Sequence, residues 1–95
     1  MKATNNKYFV IAIQAAGKNV WFNIYNVGSA KVASEILDFC MKLARLAIKL
    51  DSPLSKVNKT LDEQAEDMGG GAAIRKALYS TYHKCETLIL HPEWF

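Results

Sequence analysis

Between Val32 and Leu50, six large apolar residues (Val32, Ile36, Phe39, Leu43, Leu46 and Leu50) recur at intervals of 4, 3, 4, 3 and 4. That spacing returns to one side of an α-helix turn after turn. A second stripe of Ala33, Leu37, Cys40, Ala44, Ala47 and Ile48 lies alongside it. Lys31, Glu35, Asp38, Lys42, Arg45 and Lys49 keep to the remaining arc. An apolar arc this wide needs more than one neighbour to cover it, and the sequence offers a sheet and another helix. Only about two and a half heptads are present, fewer than a self-sufficient coiled coil requires. Val27-Gly28-Ser29-Ala30 leads into this helix, with Ser29 as its expected N-cap.

Upstream the period changes to two. From Lys7, Phe9, Ile11 and Ile13 fall on one face, and Tyr8, Val10 and Ala12 on the other. Ala15-Ala16-Gly17-Lys18 reads as a turn, with Gly17 free to take positive φ. From Asn19 to Asn26, Val20, Phe22 and Ile24 then oppose Trp21, Asn23 and Tyr25. The two runs predict a β-hairpin. Its aliphatic and Phe face suits a core. The other face carries Tyr8, Trp21 and Tyr25 around Asn23, and two destinations are open to it. It is either a partly solvated sheet surface or a face buried against another copy or element, as aromatics with polar tips favour.

Downstream, Asp51-Ser52-Pro53 stops the long helix and starts another, with Ser52 expected to cap it and Pro53 to take its first position. Leu54, Val57 and Leu61 make a thin apolar stripe, predicting a surface helix with a solvated acidic end at 62–67. Gly69-Gly70-Gly71 cannot continue it, at about 1 kcal/mol per glycine relative to Ala. A third helix is predicted from Ala72 to about Leu90. Ile74, Ala77, Leu78, Thr81, Tyr82, Cys85, Leu88 and Ile89 face inward, Pro92 ends it, and residues 91–95 form an aromatic tail. The expected fold is α+β: an antiparallel hairpin-based sheet packed against a long helix, with two further helices. At 95 residues the chain makes one domain.

Composition narrows the function classes. Hydrophobic residues are 51%, charged residues 22%, and Gly plus Pro only seven, which argues against disorder. No apolar run reaches the roughly 18 residues of a membrane span, and the start of the chain has no signal-peptide pattern. Cys40 and Cys85 lie far apart without a C-x-x-C spacing, so a reducing cytoplasm is expected. Twelve basic and nine acidic residues give +3, too mild for a protein that grips many phosphates of a nucleic acid. A domain this small buries only about two thirds of its unfolded surface. Its apolar excess should therefore leave patches exposed and favour a homo-oligomer.

Catalytic chemistry reads poorly, and no enzyme, metal or cofactor is expected. His83 and Cys85 diverge on their helix and cannot form a dyad with each other. Cys40, Cys85, His83 and His91 lack a zinc-like spacing. Two small-residue turns carry more signal. Gly69, Gly70 and Gly71 precede a helix containing Arg75 and Lys76, and Gly28 and Ser29 precede Lys31. Open amides at a helix start suit a phosphate or carboxylate. Plain chain reversal is the alternative at both turns.

The order of parts resembles the TSCPD domain, named for a Thr-Ser-Cys-Pro-Asp stretch. That domain is found at the C-terminal end of adenosylcobalamin-dependent ribonucleotide reductases and as small free-standing proteins. Val20-Trp21-Phe22-Asn23-Ile24 with Gly28 is similar to that family's second strand and glycine turn. Lys42 through Lys49, then Pro53-Leu54, Val57 and Leu61, resemble its long helix and junction. Ala73-Ile74-Arg75-Lys76-Ala77-Leu78 resembles the helix after its cysteine motif. The likeness covers roughly residues 7–80 and departs at Gly69-Gly70-Gly71-Ala72, where the family carries Ser-Cys-Pro-Asp. The family's cysteine role therefore does not carry over, and no reductase catalytic domain is present.

The expected function is a non-enzymatic, oligomeric binding module for an anionic nucleotide-type ligand. Gly28, Ser29, Gly69, Gly70 and Gly71 would hold phosphates, Lys31, Arg75 and Lys76 would neutralise them, and Trp21 or Tyr25 would stack a base. Size and autonomy fit a virus-encoded protein that sequesters a nucleotide signal of bacterial defence. The alternative is a protein-interaction module that inhibits or regulates a larger enzyme, such as a nuclease inhibitor or a ribonucleotide reductase accessory unit. The aromatic hairpin face and the Trp94-Phe95 tail motivate it.

Overall fold

The computed structural model describes residues 8–95; the polar stretch 1–6 and Lys7, expected to lead into the first strand, lie outside the described residues. Strands β1 (Tyr8–Ala15) and β2 (Lys18–Tyr25) pair antiparallel, from Tyr8 opposite Tyr25 to Ala15 opposite Lys18. Ala16 and Gly17 join them with φ of 53° and 76°, both left-handed. Such a turn matches the twist of the strands it joins. Gly17 takes this conformation freely, whereas Ala16 is strained by its Cβ. Ala16→Asn is therefore expected to stabilise the fold by up to about 1 kcal/mol. In a domain this size that raises the melting temperature by roughly 4–8 °C, as a thermal melt followed by circular dichroism would show.

Three helices complete the α+β architecture among the described residues: α1 (Ala30–Leu50), α2 (Leu54–Asp67) and α3 (Ala72–Leu90), followed by a 3₁₀ turn at Pro92–Trp94. Ser29 caps α1 as expected, its Oγ accepting the Val32 N–H at 3.2 Å. The helix closes on Asp51, left-handed at φ 52°, with the Asp51 and Ser52 amides returning to the Ile48 and Ala47 carbonyls. Ser52 thus ends α1 and does not cap α2. Pro53 takes the cap position instead, and its carbonyl receives the Lys56 and Val57 amides.

Buried residues of β2 and all three helices form one cluster. β2 lies over α3 and β1 over α1, while α1 and α3 pack along each other and α2 packs on α3. Val20, Phe22 and Ile24 are buried, but Phe9, Ile11 and Ile13 opposite them are only half-buried. The same asymmetry runs along α1. Its inner stripe of Ala33, Leu37, Cys40, Ala44 and Ala47 is buried together with Ile36 and Met41. Val32, Phe39 and Leu43 are half-buried, and Leu46 and Leu50 are exposed. On α2, Val57 and Leu61 are buried and Ala65 joins them, whereas Leu54 is exposed.

Candidate functional site

A groove of about 600 Å³ runs between the free edge of β2 and α3. That volume is in the usual range of small-molecule sites. Periodicity creates it. Ala73, Lys76, Ala77, Ser80, Thr81 and Lys84 follow one another at helical spacing along the side of α3 that lines it. The small members leave room beside the strand, where residues with large side chains would fill it. The opposite wall is Phe22, Asn23, Tyr25 and Asn26.

The strand contributes backbone groups as well. A two-residue turn makes Ala15 and Lys18 a hydrogen-bonded pair, so Trp21, Asn23 and Tyr25 direct their N–H and C=O groups away from β1. The Lys84 ammonium donates to the Trp21 carbonyl and sits 5.0 Å from the centre of the Phe22 ring. This contact fixes the ammonium at one end of the groove. An ammonium carries three donors, so two remain. Lys76, exposed on the same side of α3, supplies the second positive charge. Among the described residues no carboxylate lines the groove. Tyr25, at the strand end, is in tilted contact with Tyr8, their ring centres 5.2 Å apart.

Two of the sequence-predicted site residues, Tyr25 and Lys76, come together here. The others stand apart from the groove. Trp21 gives only its carbonyl to Lys84, and its ring is exposed on the outer face of the hairpin. Ser29 spends its hydroxyl on the α1 cap, while Gly28 and Lys31 are exposed near the start of that helix.

At Gly69 and Gly70 the expectation of open amides is corrected. The Gly69 N–H bonds the Glu66 carbonyl at 3.1 Å, and the Gly70 N–H bonds the Ala65 carbonyl at 2.8 Å. These are the paired bonds of a Schellman helix ending, and the left-handed Gly69, at φ 110°, makes it possible. A methyl group on Gly70 would stand 3.3 Å from the Glu66 carboxylate, so this loop has an acid beside it. Gly71 occupies the cap position of α3. Arg75 is committed elsewhere, pairing with Asp62 at 3.0 Å. The Tyr79 hydroxyl donates to the same carboxylate at 2.7 Å. At Gly69 and Gly70 the chain-reversal alternative is the one the hydrogen bonds support.

Sequence reasoning missed Asn23, Asn26, Ser80, Thr81 and Lys84. The recurrence of small residues and lysines at 73, 76, 77, 80 and 84 was the available signal.

Both thiols are buried in the core, and the Cys40 Sγ–H donates to the Leu78 carbonyl at 3.3 Å. Burial, and then the nearby Cys85, push the Cys40 thiol well above its usual range. Burial pushes Cys85 up to about 12, against the pull of Arg45 and Lys84. Sealed, protonated thiols make poor nucleophiles. His83 is exposed, so no imidazole reaches them from that position. No helix among the described residues is long and apolar enough to cross a membrane.

Comparison of the chain with protein-family models, curated proteins and solved structures gave no match.

Proposed function

We propose that the chain is a non-enzymatic, oligomeric binding module that captures an anionic nucleotide-type ligand in the groove between β2 and α3. One observation carries the reading: two lysines line a concave surface of about 600 Å³ that no carboxylate among the described residues shares. Lys76 and Lys84 neutralise phosphate, and the backbone N–H and C=O groups that Asn23 and Tyr25 direct away from β1 meet the polar edge of a base beside Asn26. Binding here is capture without bond-making. A reducing cytoplasm accords with two free cysteines. Sequestration of a nucleotide signal, the role of a virus-encoded antagonist of bacterial defence, is the use proposed for such a module. The resemblance to the TSCPD domain belongs to the same proposal, as a frame that has lost its cysteine motif.

Calorimetric titration with mono-, di- and cyclic nucleotides, alongside the matching nucleosides, tests this. Phosphate-bearing compounds are expected to bind and to weaken as salt rises, because exposed charges are screened. No heat from any nucleotide at high micromolar concentration overturns the reading.

A second reading, a protein-interaction module acting on a larger enzyme, is favoured by the outer hairpin face. Tyr8, Val10, Trp21 and Tyr25 are each at least half exposed there. Under this reading a stoichiometric protein partner is lost on Trp21→Ala and kept when the groove lysines are reversed.

A further inference from the structure

The flank made by α1 and β1 is under-covered, and its charge pattern says by what. Along α1, Val32, Phe39, Leu43, Leu46 and Leu50 form a seam at intervals of 7, 4, 3 and 4. The first three are half-buried, and Leu46 and Leu50 are 52% and 59% exposed. Beside the seam, β1 contributes Phe9, Ile11 and Ile13, also half-buried. At 3.6 residues per turn, Lys31 precedes the seam on its polar side, and within the span Val32–Leu50 the charged residues bordering it there are Glu35, Lys42 and Lys49. All three are exposed, and none is in a salt bridge among the described residues.

These three charges distinguish the ways in which two copies can meet. A parallel α1 pair turns this flank towards the opposite side of the partner's seam, where Ile36 and Ala47 lie, and gives the three charges no partner. An antiparallel pair turned about residues 41–42 sets Glu35 of each copy opposite Lys49 of the other. One like-charged contact, Lys42 on Lys42, remains at the axis. A two-fold axis one residue earlier, at Met41, brings Leu43 onto Phe39 of the other copy, Leu50 onto its Val32, and Leu46 over its Ile36. Apolar and charged registers therefore agree to within one residue. Two-fold pairing of this kind makes each contact twice.

We infer that α1 is the dimer face of this chain, packed antiparallel on α1 of a second copy, with β1 widening the contact. A seam this short needs that widening, since a stable interface covers roughly 800 Å² per partner. The inference names the surface behind the oligomeric part of the proposed function. It does not depend on the groove, which lies on the β2–α3 side.

Sedimentation of the full chain from low to high micromolar concentration tests it, with three variants at exposed positions. The wild-type protein is expected to sediment at twice its 10.6 kDa chain mass. Leu46→Glu is expected to be monomeric while folded by circular dichroism. Lys49→Glu should raise the dissociation constant at least tenfold, and adding Glu35→Lys should restore it. A monomeric wild type at several hundred micromolar overturns the inference, and so does a double variant that stays as weak as the single one. Nucleotide titration of the Leu46→Glu monomer separates the two proposals. Heat retained there supports the groove independently, whatever the dimer result.

Discussion

At pH 11 the folded chain is expected to have lost about 4 kcal/mol of the stability it has at pH 8, out of the roughly 5–15 kcal/mol typical of a domain. The cause is the pair of core thiols. Unfolded, a cysteine ionises near pH 9.0, whereas folded Cys85 holds its proton up to about 12, and Cys40 is also raised. Above pH 9 the unfolded state therefore binds fewer protons than the folded state, and stability falls as pH rises. Each thiol accounts for roughly 1 kcal/mol per pH unit. Below pH 9 both states keep these protons, so the thiols give no slope. Burial raises the Tyr82 hydroxyl too, which adds to the loss at the upper end. Urea unfolding at pH 8, 9, 10 and 11 measures the slope. A Cys40→Ala, Cys85→Ala variant is expected to flatten it. An unchanged slope in that variant would remove the thiols as its source.

The second large effect belongs to the groove. Lys76→Glu and Lys84→Glu are each expected to weaken nucleotide binding between tenfold and about 150-fold, the range for losing one charged hydrogen bond, with reversal of sign pushing towards the upper end. Lys76 is exposed, so its replacement should leave the melting temperature nearly unchanged. Lys84 also holds the Trp21 carbonyl, and its loss should lower stability modestly. Lys31→Glu is the informative control. Lys31 does not line the groove, so groove binding leaves that variant near wild type. If Lys31→Glu abolishes binding and Lys76→Glu does not, the ligand sits at the α1 turn instead.

Local features were legible in the sequence. Alternation at Tyr8–Ile13 and Val20–Tyr25 located both strands and sorted their faces. Ser29 declared the start of α1 because its hydroxyl reaches only a few residues along the chain. Where a signal had two local meanings, the pattern alone could not choose between them. Gly69–Gly71 both ends α2 and begins α3, and the bonds that decide the matter run back to Ala65 and Glu66. Ser52 posed the same problem, and its amide turned back to Ala47. The groove depends on longer connections still. Lys84 meets Trp21 across 63 positions, and no window along the chain places a strand edge beside a helix side.

Among the described residues the sheet has only two strands, and a hairpin by itself is marginal in water. β2 therefore owes its persistence to the helices beneath it, and the contact from Lys84 to Trp21 ties the least self-sufficient element to α3. Any molecule lodged between them bridges the hairpin to the helix that supports it. Occupancy then acts on the whole folding equilibrium, so melting should report a bound guest even where the guest touches only one wall of the hairpin.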